Sequence, residues 1–166
     1  MAEGTFIVGV MGGGTADEDV LENAYRLGRL IAVNGWILLN GGRNAGVMAA
    51  SAKGAFEAGG MTVGILPDAD DRQASGYIRI PVLTGMGNAR NVINVLSSHV
   101  IVACPGGAGT LSEIALAIKC ARPVIFMGFP VRPLFASRAP TAAMHTVETP
   151  EEAVAVIRDL AEERFT

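Results

Sequence analysis

The stretch Cys104-Pro105-Gly106-Gly107-Ala108-Gly109-Thr110-Leu111-Ser112-Glu113 decides how the rest of the chain is organised. The apolar, β-branched run at 100–103 predicts a buried strand, and the apolar periodicity of 111–119 predicts a helix. Glycines between them let a ligand approach the backbone closely, where the first free N–H groups of the helix point. The stretch therefore predicts an anion-binding turn, with candidate binding residues Gly106, Gly107, Gly109 and Thr110.

The carboxylate that follows this turn, Glu113, has two interpretations. In the first it is structural: Thr110 is the N-cap and Glu113 the third helical residue of a capping box, which also compensates the helix dipole. In the second it is chemical, because a carboxylate next to an anion site can stabilise a developing oxocarbenium ion or activate water. The stretch alone leaves both interpretations open.

Strand-like and helix-like segments alternate along the whole chain. Strands are predicted at 5–10, 36–39, 61–66, 78–83, 100–103, 124–127 and 144–147. This alternation predicts an α/β fold, with a Rossmann-like, doubly wound, mostly parallel sheet of about six or seven strands and helices on both faces. We expect residues 1–166 to form one such domain.

Local signals predict where some helices begin. The sequences Thr15-Ala16-Asp17-Glu18 and Thr149-Pro150-Glu151-Glu152 both have the capping-box pattern, so each predicts a helix start. The proline-containing segment 128–140 is predicted to be irregular.

Two further glycine-rich turns follow predicted strands. The first contains Gly12 and Gly13, and the second contains Gly41, Gly42, Arg43 and Gly46. Because parallel strands end at the same edge of a sheet, all three turns are expected to line one crevice. The first lacks the GxGxxG spacing of dinucleotide sites, and none is followed by the Gly-Lys-Ser/Thr of nucleoside triphosphatases.

Composition limits the class of protein. Half of the residues are hydrophobic (50%) and only 17% are charged, which favours a buried parallel sheet and a subunit interface. No apolar run is long enough to span a membrane, and residues 1–4 lack the basic start of a signal peptide. With two cysteines and a net charge of −3, we expect a cytoplasmic protein that binds neither membranes nor nucleic acid.

The charges are unevenly distributed. Residues 72–147 contain one carboxylate, that of Glu113, and seven arginines and lysines. Such a balance favours an anionic ligand, and the alternatives are a solvated basic surface or arginines paired with the acidic ends of the chain.

Residues 105–113 match the signature PGGxGTxxE, on which the chain resembles the LOG family of Rossmann-like phosphoribohydrolases. The turn at 41–48 is similar to that family's GGGxxGLM turn, and Arg90 lies where the family has a catalytic arginine. The resemblance implies that Arg90 and Glu113 are catalytic if the chain cleaves the N-glycosidic bond of a nucleoside 5′-monophosphate. Against this activity, Asn88 and Asn91 replace a histidine and a lysine of the family pattern.

Within that superfamily the chain resembles the molybdenum cofactor carrier proteins, on Gly35-Trp36-Ile37-Leu38-Leu39, Gly46-Val47-Met48, Gly64-Ile65-Leu66-Pro67, Ile80-Pro81-Val82-Leu83-Thr84-Gly85 and Ala89-Arg90. This resemblance implies binding, storage and transfer of molybdenum cofactor (molybdopterin) without catalysis, molybdoenzymes as acceptors, and a homotetramer; LOG enzymes are typically dimers. The cofactor's phosphate would lie against the glycine-rich turns, near Asn88, with Arg43 or Arg90 adding positive charge.

No protein ligand to a metal is predicted. The cofactor's own dithiolene would hold molybdenum, and His99, His145, Cys104 and Cys120 lack the spacing of a metal site. The three hypotheses are therefore a cofactor carrier, an N-glycosidase and a ligand-sensing module without catalysis.

Overall fold

The computed structural model describes residues 5–165 and contains a seven-stranded sheet in which all the paired strands are parallel. The strands are β1 (Ile7–Met11), β2 (Ile37–Asn40), β3 (Thr62–Leu66), β4 (Ile80–Leu83), β5 (Val100–Ala103), β6 (Val124–Met127) and β7 (Met144–Val147). The helices are α1 (Glu18–Val33), α2 (Gly46–Glu57), α3 (Asn91–Leu96), α4 (Ala108–Lys119), α5 (Arg132–Ala136) and α6 (Pro150–Phe165), and a 3₁₀ turn (Gly87–Arg90) precedes α3. The expectation about a signal peptide rests on residues 1–4, which lie outside the described residues.

The strand order β4-β3-β2-β1-β5-β6-β7 places the change of direction between β1 and β5. From β1 the chain runs out to β4, returns to β5 beside β1, and then runs out to β7. Since every paired strand is parallel, all the carboxyl ends lie at one edge, and the switch point between β1 and β5 opens a crevice there. The predicted α/β architecture is confirmed.

Strand β5 shows why the sheet needs helices on both faces. Val100 and Val102 belong to one buried cluster, which also contains residues of α1, α2 and α6. Ile101 and Ala103 belong to the other, which contains residues of α3 and α4. All four side chains are fully buried. A strand covered on both faces has no polar alternation, and this explains its continuous apolar sequence.

Three local expectations have different outcomes. The capping box at 149–152 is confirmed, because the Glu152 N–H donates to Thr149 Oγ1 at 3.3 Å and Glu152 Oε2 accepts from the Thr149 N–H at 3.3 Å. The box at 15–18 is wrong: α1 begins at Glu18, and its N-cap, Asp17, makes no side-chain capping bond. The irregular segment 128–140 contains helix α5, which is held on the sheet as Phe135 stacks on Phe126 with ring centroids 6.4 Å apart.

The stability of the fold should decrease in mild acid because of His99. Its Nδ1 accepts the Ile7 N–H at 2.8 Å, and its ring stacks on Phe6 at 5.1 Å. Burial lowers the pKa of His99 from its ordinary 6.5. The unfolded chain therefore takes up a proton below about pH 6.5 while the folded chain resists it, so folding stability falls as the pH falls through this range.

Thermal unfolding from neutral to mildly acidic pH checks this expectation. His99→Asn, whose side chain retains an acceptor near the Nδ1 position, should flatten the decrease. His145→Asn, on β7, should leave it in place. A decrease of the same size in the His99 variant would show that other groups cause it.

Candidate functional site

A cavity of about 290 Å³ opens at the carboxyl edge of the sheet, where the three glycine-rich turns meet. The predicted common crevice is therefore present. Its lining includes these site residues predicted from the sequence: Gly12, Gly13, Gly41, Asn88, Arg90, Gly107, Gly109, Thr110 and Glu113. The remaining lining residues are Val10, Met11, Gly14, Met48 and Asn91.

The first turn holds the other two in place through the backbone of Gly13. Its N–H donates to the Pro105 carbonyl at 3.0 Å, and its carbonyl accepts the Val47 N–H at 3.0 Å. A Cβ on Gly106 would lie 2.8 Å from the Gly13 nitrogen, and a Cβ on Gly46 would overlap the Gly13 carbonyl oxygen. Gly46 and Gly106 thus support the cavity wall by allowing this close approach, although neither lines the cavity.

Helix α4 directs its amino end into the cavity. The helix begins at Ala108, after Gly107 in extended conformation, and no side chain caps it. Gly107, Gly109 and Thr110 all line the cavity. Free N–H groups and the positive end of the helix dipole make this the end of the cavity that suits an anion.

Glu113 is not part of a capping box. Because α4 begins at Ala108, Thr110 is the third helical residue and Glu113 lies in the second turn, too far along to cap the helix. The side chain lines the cavity and is 8% exposed. Burial raises the pKa of the Glu113 carboxyl, against the opposing effects of the Asn94 hydrogen bond and the Arg90 charge. The structural interpretation of Glu113 as a cap is therefore wrong.

A hydrogen bond from Asn94 holds the Glu113 carboxylate in position. Its Nδ2 donates to Glu113 Oε1 at 2.8 Å, and the Asn94 side chain is completely buried. The contact between Asn94 and Glu113 depends on the packing of α3 against α4, which the sequence does not reveal. The one available sign was a polar residue, Asn94, within an apolar helix. Asn94 is a site residue that the sequence analysis missed.

Arg90 lines the cavity, and its guanidinium is bound to the sheet edge. Its Nη1 donates to the Gly41 carbonyl at 2.8 Å and to the Ile65 carbonyl at 2.6 Å. Desolvation by burial lowers the pKa of Arg90, while the Glu113 charge opposes this effect. Arg90 forms no ion pair with Glu113 within the described part of the chain. Arg90 therefore adds to the cavity a positive charge that is not paired with Glu113, and its Nη1 connects the second glycine-rich turn to β3.

Arg43 and Gly42 lie outside the cavity lining. Arg43 is paired with Asp68, Nη2 to Oδ1 at 3.2 Å, on the exposed loop that follows β3. Gly42, with φ +79°, turns the backbone close to Gly64. Of the two arginines proposed to add charge beside the phosphate, Arg90 is the one that the structure brings to the cavity.

The described residues offer no metal centre. Among residues 5–165 no three His, Cys, Asp or Glu side chains are grouped to hold a metal ion. Cys104 is fully buried, and burial raises the pKa of its thiol to about 12, so it has no nucleophilic thiolate at neutral pH. None of the helices within residues 5–165 combines the length and apolarity needed to cross a membrane.

Known proteins share this architecture over nearly the whole chain. The molybdenum cofactor binding protein of Rippkaea orientalis is 46% identical, with a TM-score of 0.90 over 94% of this chain and 97% of that one. The molybdenum cofactor carrier protein of Chlamydomonas reinhardtii is 43% identical, with a TM-score of 0.88 over 95% of this chain and 99% of that one.

A third relative is an enzyme. The cytokinin riboside 5′-monophosphate phosphoribohydrolase of Mycobacterium tuberculosis is 35% identical over 102 residues, 58% of this chain and 52% of the enzyme, so the chain matches about half the length of that relative. The model of the SLOG cluster4 family matches residues 5–154. Since this match extends over most of its length, the chain belongs to the SLOG cluster4 family.

Proposed function

We propose that the protein binds, stores and transfers molybdenum cofactor and is not itself an enzyme. One observation carries this proposal: two proteins described as binding or carrying that cofactor match it at 46% and 43% identity over more than nine tenths of its length. In this proposal the acceptors are molybdoenzymes, and the two free cysteines fit a reducing cytoplasm.

The cavity suits a pterin that ends in a phosphate. The amino end of α4 and the Arg90 charge would bind the phosphate, and the half-buried Met48 would offer apolar surface to the ring. A Cβ at Gly107 would point into open space, so the wall leaves room for a ligand there. When bound, the cofactor supplies the dithiolene that holds molybdenum, and the chain needs no metal ligands of its own.

A reconstitution experiment tests storage and transfer. Isolated cofactor is incubated in air with or without the protein, and the cofactor that survives is measured by its ability to activate an apo-molybdoenzyme. We expect the protein to slow the loss of activating cofactor and to release it to the apo-enzyme. Equal loss with and without the protein would contradict the proposal.

A second candidate function is the hydrolysis of a nucleoside 5′-monophosphate. It is favoured by one observation, that Arg90 and the buried carboxyl of Glu113 line the same cavity. As a carboxylate, Glu113 would stabilise the developing oxocarbenium ion or activate water, which is the role of the acidic residue in this chemistry.

If the protein is only a carrier, it should release no adenine from AMP. Chromatography of the reaction mixture measures free base for the wild type and for Glu113→Gln. Base released by the wild type and reduced about 100-fold or more in the variant would make the protein an N-glycosidase instead. Base released equally by both would point to a contaminating enzyme.

We further propose that the chain forms a homo-oligomer, a tetramer in the first instance and otherwise a dimer, and that the edge of the sheet at β4 is one of its interfaces. All four residues of this strand are exposed, including Ile80, Val82 and Leu83, and the nearby Met86 is 48% exposed. An apolar edge strand left in water is a site for association.

Val82→Glu should therefore shift the wild-type oligomer to smaller species in mass photometry, whereas Val33→Glu, on α1, serves as the matched control at another exposed apolar site.

A further inference from the structure

We infer that Glu113 accepts hydrogen bonds from the N–H edge of the bound pterin and so determines which end of the cofactor enters the cavity first. The inference rests on the proposed function, because it takes a phosphate-bearing pterin as the ligand. It assigns to Glu113 a role in recognition that needs no catalytic step.

The first support is an incomplete hydrogen-bond shell around Glu113. Its Oε1 accepts from Asn94 at 2.8 Å, whereas Oε2 has no hydrogen-bond donor among the described residues. The side chain is 8% exposed and lines the cavity. For a carboxylate that has lost most of its water, one hydrogen bond from the protein does not offset the cost of desolvation. A ligand with N–H donors would supply the further hydrogen bonds.

The second support is that Arg90 does not neutralise this carboxylate by direct pairing. Its Nη1 is bound to the carbonyls of Gly41 and Ile65, and within residues 5–165 no ion pair joins it to Glu113. The cavity therefore contains positive and negative features that are not directly paired with each other: the amino end of α4 with Arg90, and the carboxyl of Glu113. A ligand with a charged end and a donor-rich end can satisfy both.

The chemistry of a pterin matches this division. Its pyrimidinone ring carries a 2-amino group next to the N3–H, two parallel donors that fit one carboxylate as a guanidinium does. The phosphate at the other end is repelled by the Glu113 charge and attracted to the amino end of α4. The fixed position of Glu113, held by the fully buried Asn94, makes one orientation of the ligand favourable.

The test uses two probes that differ only at the edge in question. They are neopterin monophosphate and its 2-oxo counterpart, in which a carbonyl replaces the amino group. Dissociation constants are measured by fluorescence titration at a pH where the ring N–H is retained, for the wild type, for Glu113→Gln and for the control Glu18→Gln, an exposed residue of α1. The amide introduced by Glu113→Gln offers one donor and one acceptor, which matches the 2-oxo ring.

We expect the wild type and Glu18→Gln to bind the 2-amino probe about 10- to 100-fold more tightly than the 2-oxo probe. Glu113→Gln should lose or reverse this preference. If the wild type binds both probes equally, or if Glu113→Gln retains the preference, the inference is wrong although the proposed function stands. If the wild type binds neither probe, the proposed function fails together with the inference.

Discussion

Replacing Gly107 by leucine is expected to weaken cofactor binding by about 100-fold, or about 2.7 kcal/mol, without unfolding the protein. An added Cβ at Gly107 meets no atom within 4 Å, and the backbone there has φ −96°, which a leucine adopts without strain. The new side chain would occupy the space in front of the α4 amino end, where the phosphate is proposed to bind.

Retention of isolated cofactor during gel filtration measures this effect, with thermal unfolding as the check on folding. Gly76→Leu is the matched control, because a Cβ at Gly76 also meets open space and the residue does not line the cavity. Equal retention of cofactor by Gly107→Leu and Gly76→Leu would show that the phosphate does not bind in front of the α4 amino end.

Gly28→Ala should strongly destabilise the fold, with a loss of about 2 to 3 kcal/mol of unfolding free energy. Helices α1 and α2 touch backbone to backbone, so a Cβ at Gly28 would overlap the Ser51 carbonyl oxygen. The contact is reciprocal, because a Cβ at Gly54 of α2 would overlap the Tyr25 carbonyl oxygen of α1. Relief requires the two helices to separate and opens the buried cluster that contains Leu27 and Ile31.

Urea denaturation measures this loss. Gly109→Ala provides the comparison, since it makes the same substitution within a helix but meets no neighbouring atom. Gly109→Ala should be neutral or stabilise the protein by up to about 1 kcal/mol, because alanine favours the helix. A similar midpoint for both variants would show that α1 and α2 can move apart at little cost.

The three Thr-x-x-Glu sequences show how far local pattern predicts structure. Only the one at 149–152 forms a capping box. At 15–18 and 110–113 the preceding turns are committed to tertiary contacts, including the bond from the Gly13 N–H to the Pro105 carbonyl, and each helix begins at a different residue from the one that the pattern predicts. The strands were predicted to within two residues of their bounds, and for the central strands the reason is that burial on both faces leaves a continuous apolar signal.

The cavity was predictable in position but not in detail. Parallel strands bring the ends of β1, β2 and β5 to one edge, and this placed the three turns together. The choice between Arg43 and Arg90 was not predictable, because it depends on the Asp68 loop that pairs with Arg43. The role of Asn94 depends on how α3 packs on α4, which no local pattern encodes.

We propose that the cavity between the three glycine-rich turns holds one phosphate-bearing pterin, the molybdenum cofactor. The most direct measurement is the content of molybdenum and of oxidised pterin per chain, after incubation with isolated cofactor and removal of the excess by gel filtration. We expect equal amounts of molybdenum and pterin on the wild type and neither on Gly107→Leu. A wild type that retains no pterin, or a Gly107→Leu variant that retains as much as the wild type, would contradict this proposal.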